Sequence, residues 1–258
     1  MTLIRLALLA ASLAVGSVAN ATTQIEVQGA LPSPGTLEIN EGLRLGELLQ
    51  QLQLDPRSYW LGASWQRQSL KQQQRRLKAG VLFDLTQVQR LALLQDDPSL
   101  ASVAKRLSEQ VIALPVTGRR LYPLDPLAIE LNAAHSPKLQ GGDRLIFPAR
   151  QNTVRIVGAV AQDCTLPFVP LQPGYRYAQL CPALPEADPD YLFLIQPDGQ
   201  VTRLGIALWN REEKAAPPAP GAIVLVPLDA TRIKISAPEL SQELADFLAT
   251  QPLPAESP

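Results

Sequence analysis

The sequence predicts an α+β protein built from two tandem copies of one small unit, each a mixed sheet wrapped on a short helix. Three observations predict it. Four blocks of the first half return in the same order in the second, which marks a duplicated domain. Each copy opens with an alternating apolar and polar segment, the period of a half-buried strand. Turn signals and a short helical spacing then follow in matching positions, so each copy reads β-β-α-β-β-β.

The repeated blocks are specific residues. Ile25-Glu26-Val27-Gln28-Gly29-Ala30 returns as Val154-Arg155-Ile156-Val157-Gly158-Ala159, and Gly142–Pro148 returns as Gly221–Pro227. Leu114-Pro115-Val116-Thr117-Gly118 matches Ile195-Gln196-Pro197-Asp198-Gly199, and Leu127–Asn132 matches Gly205–Asn210.

Residues 1–21 read as a signal peptide rather than as fold. Arg5 supplies the positive start, Leu6–Val15 the apolar stretch, and Ala19-Asn20-Ala21 the small-residue cleavage pattern. The stretch is far shorter than the ~20 residues a spanning helix needs. A mature chain beginning near Thr22 is therefore expected to be exported to the periplasm, with no transmembrane span.

The first copy occupies residues 22–150. Ile25 and Val27 alternate with Glu26 and Gln28, Pro34-Gly35 turns the chain, and Thr36–Ile39 returns as the second strand of a hairpin. Leu45, Leu48, Leu49 and Leu52 then keep helical spacing. An insertion at about 63–112, absent from the second copy, reads as two helices over 64–95 and 98–112. Ala79-Gly80 marks a place where the first helix would bend or split. Asp97 and Pro98 suit the cap and first turn of the second. Leu70, Leu77, Val81, Val88 and Leu91 keep a seven-residue spacing that would bury one stripe of the first helix.

The second copy occupies residues 151–229. Its hairpin is 154–161 with 165–169, its helix 175–181, and its further strands 191–195, 201–204 and 223–226. Trp209 falls in a predicted apolar strand and reads as core. Residues 230–258 hold an amphipathic helix at 238–250, with Leu240, Leu244, Phe247 and Leu248 on one face, and a loose tail. Only Arg150-Gln151-Asn152 separates the copies, which predicts a rigid pair.

Composition limits the function classes. Residues 22–150 carry 15 basic and 12 acidic side chains and residues 151–258 carry 7 and 12, too near neutrality for bulk attraction to nucleic acid. The two cysteines, Cys164 and Cys181, suit one disulfide in an oxidising compartment. Closing their loop stabilises by roughly 3 kcal/mol. His135 is the only histidine and reads as a surface residue, so paired-imidazole metal sites and a serine triad are disfavoured. No metal cluster or glycine-rich phosphate loop appears, and no cofactor is expected. Asp125 and Asp143 are the acids to consider for sugar cleavage, which requires two carboxyls facing each other.

The hairpin V-x-G-x-V…PG, the Leu-rich helix and the closing Gly-Asp-x-(apolar)-x-x-Pro strand resemble the soluble-ligand-binding β-grasp (SLBB-like) unit. Two such units after a signal peptide, with Leu114–Arg119, Ile195–Gly199 and Gly205–Asn210, resemble the GfcC-like (YjbG-like) capsule and exopolysaccharide biosynthesis family. The resemblance covers about 24–250. It implies an exported accessory of surface-polysaccharide assembly, related in build to modules of polysaccharide export channels. A channel role for this chain alone does not follow, because Glu239, Glu243 and Asp246 keep the C-terminal helix out of a bilayer.

Arg119, with Arg120, Tyr122 and Asp125 near it, is the candidate ligand-binding group. A guanidinium can grip a carboxylate or phosphate in two places, and an adjacent ring can stack on a sugar. The competing reading is a surface arginine paired with an acid. Arg67, Lys71, Arg75 and Lys78 share one helical face, either a solvated face or a surface for acidic polysaccharide. Trp60 and Trp65 beside it suit carbohydrate or packing. Leu244, Phe247 and Leu248 are the candidate partner-docking face, with Arg67 and Lys71. These readings point to a non-catalytic protein that binds polysaccharide or an export-channel component; a periplasmic enzyme acting on the polymer or its precursor is the alternative.

Overall fold

The computed structural model describes residues 22–52, 54–132 and 136–255. The segment read as a signal peptide and His135 lie outside the described residues. The first copy contains β1 (Thr22–Gly29), β2 (Gly35–Asn40), α1 (Leu45–Gln51), β3 (Ser64–Gln66), α2 (Lys71–Leu94), α3 (Pro98–Ala113), β4 (Arg119–Arg120), α4 (Pro126–Leu131) and β5 (Arg144–Phe147). The second contains β6 (Thr153–Gly158), β7 (Cys164–Pro167), α5 (Gly174–Gln179), β8 (Tyr191–Ile195), β9 (Val201–Gly205) and β10 (Ile223–Val226), followed by α6 (Ala230–Ile233) and α7 (Leu240–Ala249).

The two sheets have one topology. Their orders are β2-β1-β5-β3-β4 and β7-β6-β10-β8-β9, so the closing strand of each copy inserts beside the first. β1 with β5 and β6 with β10 are parallel, while the other pairs are antiparallel. The repeated glycine ending the first strand has a steric reason. Gly29 and Gly158 sit at φ +101° and +109°, and a Cβ would fall 2.0 Å from the Phe147 oxygen and 2.2 Å from that of Val226. The next residues, Ala30 and Ala159, donate to those same carbonyls at 2.7 and 2.8 Å.

The insertion begins later than its composition suggests. Ser64–Gln66, expected as the start of a helix, is the third strand of the first sheet, because its backbone pairs with β5 on one side and β4 on the other. Pairing across the sheet overrides local propensity there. The insertion leaves from the tip of the β3–β4 hairpin and returns to it, with Arg67 N donating to Gly118 O at 2.8 Å. α2 then runs unbroken through Ala79-Gly80, where the missing Cβ would meet Glu243 Oε2 of α7 at 3.3 Å. Asp97 caps α3 by accepting from Leu100 N at 3.1 Å, with Pro98 in the first turn, as expected.

The two helices of the insertion belong to the first copy by sequence and to the second by packing. Val81, Leu85, Val88 and Ala92 of α2, with Leu100, Ala104, Leu107 and Val111 of α3, are buried in one cluster with β6, β8, β10 and α7. The second sheet is apolar on both faces. Val154, Ile156, Leu192, Leu194 and Val224 lie on the side of α5, and Val157, Phe193, Ile195 and Leu225 on the other. α5 has six residues and covers one face only, so α2, α3 and α7 cover the other. The first copy keeps its own core, in which Ile25, Val27, Leu45, Leu48, Trp65, Leu145 and Phe147 pack together. The outer face of that sheet presents Gln24, Glu26, Thr36, Gln66 and Arg144 instead.

Two expectations change here. Leu244 and Phe247 are 5% and 0% exposed and Leu248 is half-buried against the same cluster. The apolar face of α7 is thus used inside the protein and is not free for a partner. Trp209 is not core either. β9 ends at Gly205, where a Cβ would fall 2.1 Å from the Asn210 oxygen, and the chain doubles back. Trp209 therefore lies in a turn, 71% exposed. Cys164 and Cys181 form the expected disulfide, which ties β7 to the end of α5. Among the described residues, no helix is long and apolar enough to cross a membrane.

Phe247→Ala should cost about 3–5 kcal/mol in urea unfolding, because the ring is fully enclosed. At the α2–α7 contact, burial and then the carboxylates of Asp84, Glu239 and Asp246 raise the Glu243 carboxyl above its usual value of 4.5. The folded state thus disfavours the ionised form. Glu243→Gln should raise the melting temperature at pH 7. The gain should fade as the pH falls through the raised folded value and vanish below about 4.5.

Candidate functional site

Of the residues singled out in the sequence, Arg119 lies at the junction of the two copies. Arg119 in β4 is 4% exposed. Its Nη1 donates to the carbonyls of Ala249 and Gln251, each at 3.1 Å, and its Nη2 to Pro197 O. Two of these acceptors sit at the C-terminal end of α7, where a cation complements the helix dipole. Gln74 of α2 donates to Arg119 O at 2.8 Å and accepts from Gly118 N at 2.7 Å, while Thr117 Oγ1 donates to Thr250 O at 2.8 Å. Burial pushes the Arg119 guanidinium down to about 10, which leaves it charged at neutral pH. This arrangement corrects the reading of Arg119 as an open grip for an anion. Three main-chain carbonyls already occupy it, and it joins β4 to the β8–β9 turn and to α7.

Its neighbours are similarly engaged. Trp65 is fully buried between Arg67 and Arg120, whose guanidinium carbons lie 4.5 and 4.6 Å from the ring centre. Arg120 also covers one face of the half-buried Tyr122 at 5.3 Å, and Trp65 meets that ring edge-on. Arg67 grips Asp143 with two bonds of 3.0 and 2.8 Å and donates to Lys138 O. Lys78 Nζ donates to the carbonyls of Ile112 and Leu114 at the C-terminal end of α3. The basic face therefore does not act as one stripe, and Lys71 remains beside a polar cavity of about 300 Å³ lined by Glu26, Asp143 and Arg144. Asp125 caps α4 through Leu127 N at 2.9 Å. Asp125 and Asp143 serve separate local purposes and do not face each other across a cavity.

The duplicated sheets locate a residue that the sequence reading passed over. Across the outer face of the first sheet, the register places Thr36, Glu26, Arg144 and Gln66 side by side on β2, β1, β5 and β3. The same row in the second sheet is Thr165, Arg155, Ile223 and Ile195. Glu26 is neutralised by Arg144 at 2.7 Å. In the second copy the central charge is reversed and its neighbour has become isoleucine. The exposed Arg155 guanidinium makes no ion pair or hydrogen bond among the described residues. The signal was present in the aligned blocks Ile25-Glu26-Val27 and Val154-Arg155-Ile156, at the outward position between two core residues.

Arg155 borders two cavities. One, of about 310 Å³, has Thr153, Thr165, Gln151, Gln196 and Gln251 as polar lining and Ile195, Ile223, Leu248 and Leu253 as apolar lining; Arg119 closes its back wall. The other, of about 240 Å³, runs on toward α3, past Val157, Leu225 and Asp163. A free guanidinium fork, amide and hydroxyl groups, and an apolar floor together suit a ligand with an anionic group, hydroxyls and a C–H face. No convergent histidine, cysteine or carboxylate cluster able to hold a metal occurs among the described residues.

Arg119→Ala should cost roughly 3 kcal/mol or more in chemical unfolding, since it strands buried carbonyls, and Arg119→Lys should recover only part of that. Wild-type stability combined with lost ligand binding would restore the pocket reading of Arg119.

Similarity to known proteins follows this division of the chain. Residues 19–149 match the family model for the N-terminal domain of capsule biosynthesis GfcC, and residues 162–252 match that for its C-terminal domain. The chain is 31% identical over 128 residues to the uncharacterized protein YjbG of Escherichia coli (strain K12). That match covers 50% of this chain and 51% of the relative, so it spans about half the length of the curated protein. The two family matches take in the first sheet with the insertion between β3 and β4, and the second unit from β7 through α7, and the chain belongs to the GfcC capsule-biosynthesis family.

Proposed function

We propose that this chain is a non-catalytic periplasmic accessory of capsule or exopolysaccharide assembly that binds an acidic stretch of glycan in the Arg155 cleft. The observation that carries the proposal is the unpaired Arg155, standing where the first copy neutralises its charge with Arg144. A guanidinium with two free N–H edges binds a carboxylate or phosphate in a planar, two-point geometry that a lysine cannot reproduce. Thr153, Thr165 and Gln251 supply donors and acceptors for hydroxyls, while Ile195, Ile223 and Leu253 present an apolar floor.

Family membership supports a role in capsule assembly. The Cys164–Cys181 disulfide supports an oxidising compartment, in keeping with the predicted signal peptide. The non-catalytic reading rests on the site residues themselves: Asp125 is a helix cap and Asp143 is held by Arg67, so neither is poised against a second carboxyl as glycoside cleavage needs.

Calorimetry of the mature protein with purified acidic exopolysaccharide tests the proposal. Arg155→Ala should weaken binding about tenfold or more, the loss of one charge-assisted contact. Wild-type affinity should fall with added salt. Undiminished binding by Arg155→Glu would rule the cleft out.

A further inference from the structure

The edge of the second sheet farthest from Arg155's hairpin carries an aromatic cluster that the cleft does not use. The turn after β9 throws Leu208 and Trp209 outward, 89% and 71% exposed. Single exposed apolar residues are ordinary. Here, however, the bare ring is held in place. The Trp209 indole N–H donates to Asp190 Oδ1 at 3.2 Å, and the ring stands at 90° to Tyr191 with centroids 6.5 Å apart. Tyr191 is covered in turn by Arg203, whose guanidinium carbon lies 3.6 Å from the ring centre. Arg211 pins the turn by donating to Ile206 O at 3.2 and 3.1 Å.

The remaining valences indicate the ligand. Two acids beside this turn are engaged locally: Asp190 accepts the indole N–H, and Glu212 accepts the Gly205 N–H at 3.3 Å; Glu213 is exposed and makes no ion pair among the described residues. Arg203 is exposed, is oriented by its stacking on Tyr191, and has no acceptor for its N–H edges among the described residues. An oriented indole face offers the C–H face of a pyranose a dry surface. The neighbouring guanidinium offers a carboxylate on that ring a two-point contact.

We infer that Trp209, Tyr191 and Arg203 form a second binding site, which takes the uronate ring of an acidic glycan. Tyr191 lies across β10 from Arg155 and four residues along β8 from the row that contains it, a separation of roughly 15 Å by strand spacing and rise. The site is therefore distinct from the cleft, and it shares with the proposed function only the class of ligand.

Tryptophan fluorescence reads this site directly, because Trp65 is fully buried and Trp60 packs edge-on against Phe147. The probes are glucuronate and galacturonate oligosaccharides and their methyl esters, added to the full mature chain. Acidic oligomers should change the emission of the wild-type protein, and in an Arg155→Ala background, where the cleft is silent, adding Trp209→Ala should abolish their binding in calorimetry. Arg203→Ala should weaken the acidic form about tenfold and leave the ester unaffected. Arg155→Ala should leave the fluorescence titration intact, which separates failure of this site from failure of the cleft. A wild-type emission unmoved by every probe would overturn the inference. So would wild-type affinity of Arg203→Ala for the acid, binding retained in calorimetry by the Arg155→Ala, Trp209→Ala double variant, or loss of the Trp209 signal in Arg155→Ala.

Discussion

A sheet with apolar side chains on both faces must be covered on both, and the second sheet of this protein supplies only one small helix of its own. Phe193, Ile195, Leu225 and Val157 on the uncovered side are each buried to within a few per cent. The cover comes from elsewhere in the chain: α2 and α3 reach over from the first copy, and α7 folds back from the C-terminus. Each large apolar side chain so enclosed contributes about 1.5–3 kcal/mol, which outweighs anything a three-residue linker could impose on the arrangement. Duplication by sequence and division by hydrophobic core therefore cut the chain in different places.

That arrangement brings together three chain segments whose polar ends must then be satisfied. Thr117 and Arg119 do so with bonds to the carbonyls of Pro197, Ala249, Thr250 and Gln251, while Gln74 closes on the main chain of Gly118 and Arg119. A buried guanidinium is costly unless most of its N–H groups find acceptors, and here a helix C-terminus provides two of them. The same geometry explains why the residue with the most suggestive motif is a fastener. Its position at the insertion's point of return makes it the natural link between the two copies.

Duplication also makes the copies references for each other. Gly29 and Gly158 occupy the same turn against equivalent carbonyls, those of Phe147 and Val226, and the cross-strand register of the two sheets is matched position by position. Within that register, the change from the Glu26–Arg144 pair to Arg155 beside Ile223 leaves an exposed arginine without the counter-charge that the first copy supplies. An exposed ion pair stabilises little, so its loss costs the fold little and frees a cation on a concave surface. The exposed turn bearing Trp209 likewise has no counterpart in the corresponding segment of the first copy, where Pro126–Leu131 forms a helix.

Strand periodicity, turn chemistry and repetition are local, and from them alone the sequence determined the two-copy α+β order, most strands of the second copy, the disulfide pair and the Asp97 cap. It mistook Ser64–Gln66 for helix, because three residues of strand carry no periodicity and are defined by what pairs beside them. It placed Trp209 in the core, because it could not show that Gly205 turns the chain back. Which face of α7 meets what, and whether Arg119 or Arg155 is the guanidinium left unpartnered, was decided only in three dimensions. Those outcomes depend on contacts between residues more than 100 positions apart, such as Arg119 with Ala249, and no pattern within one segment encodes them.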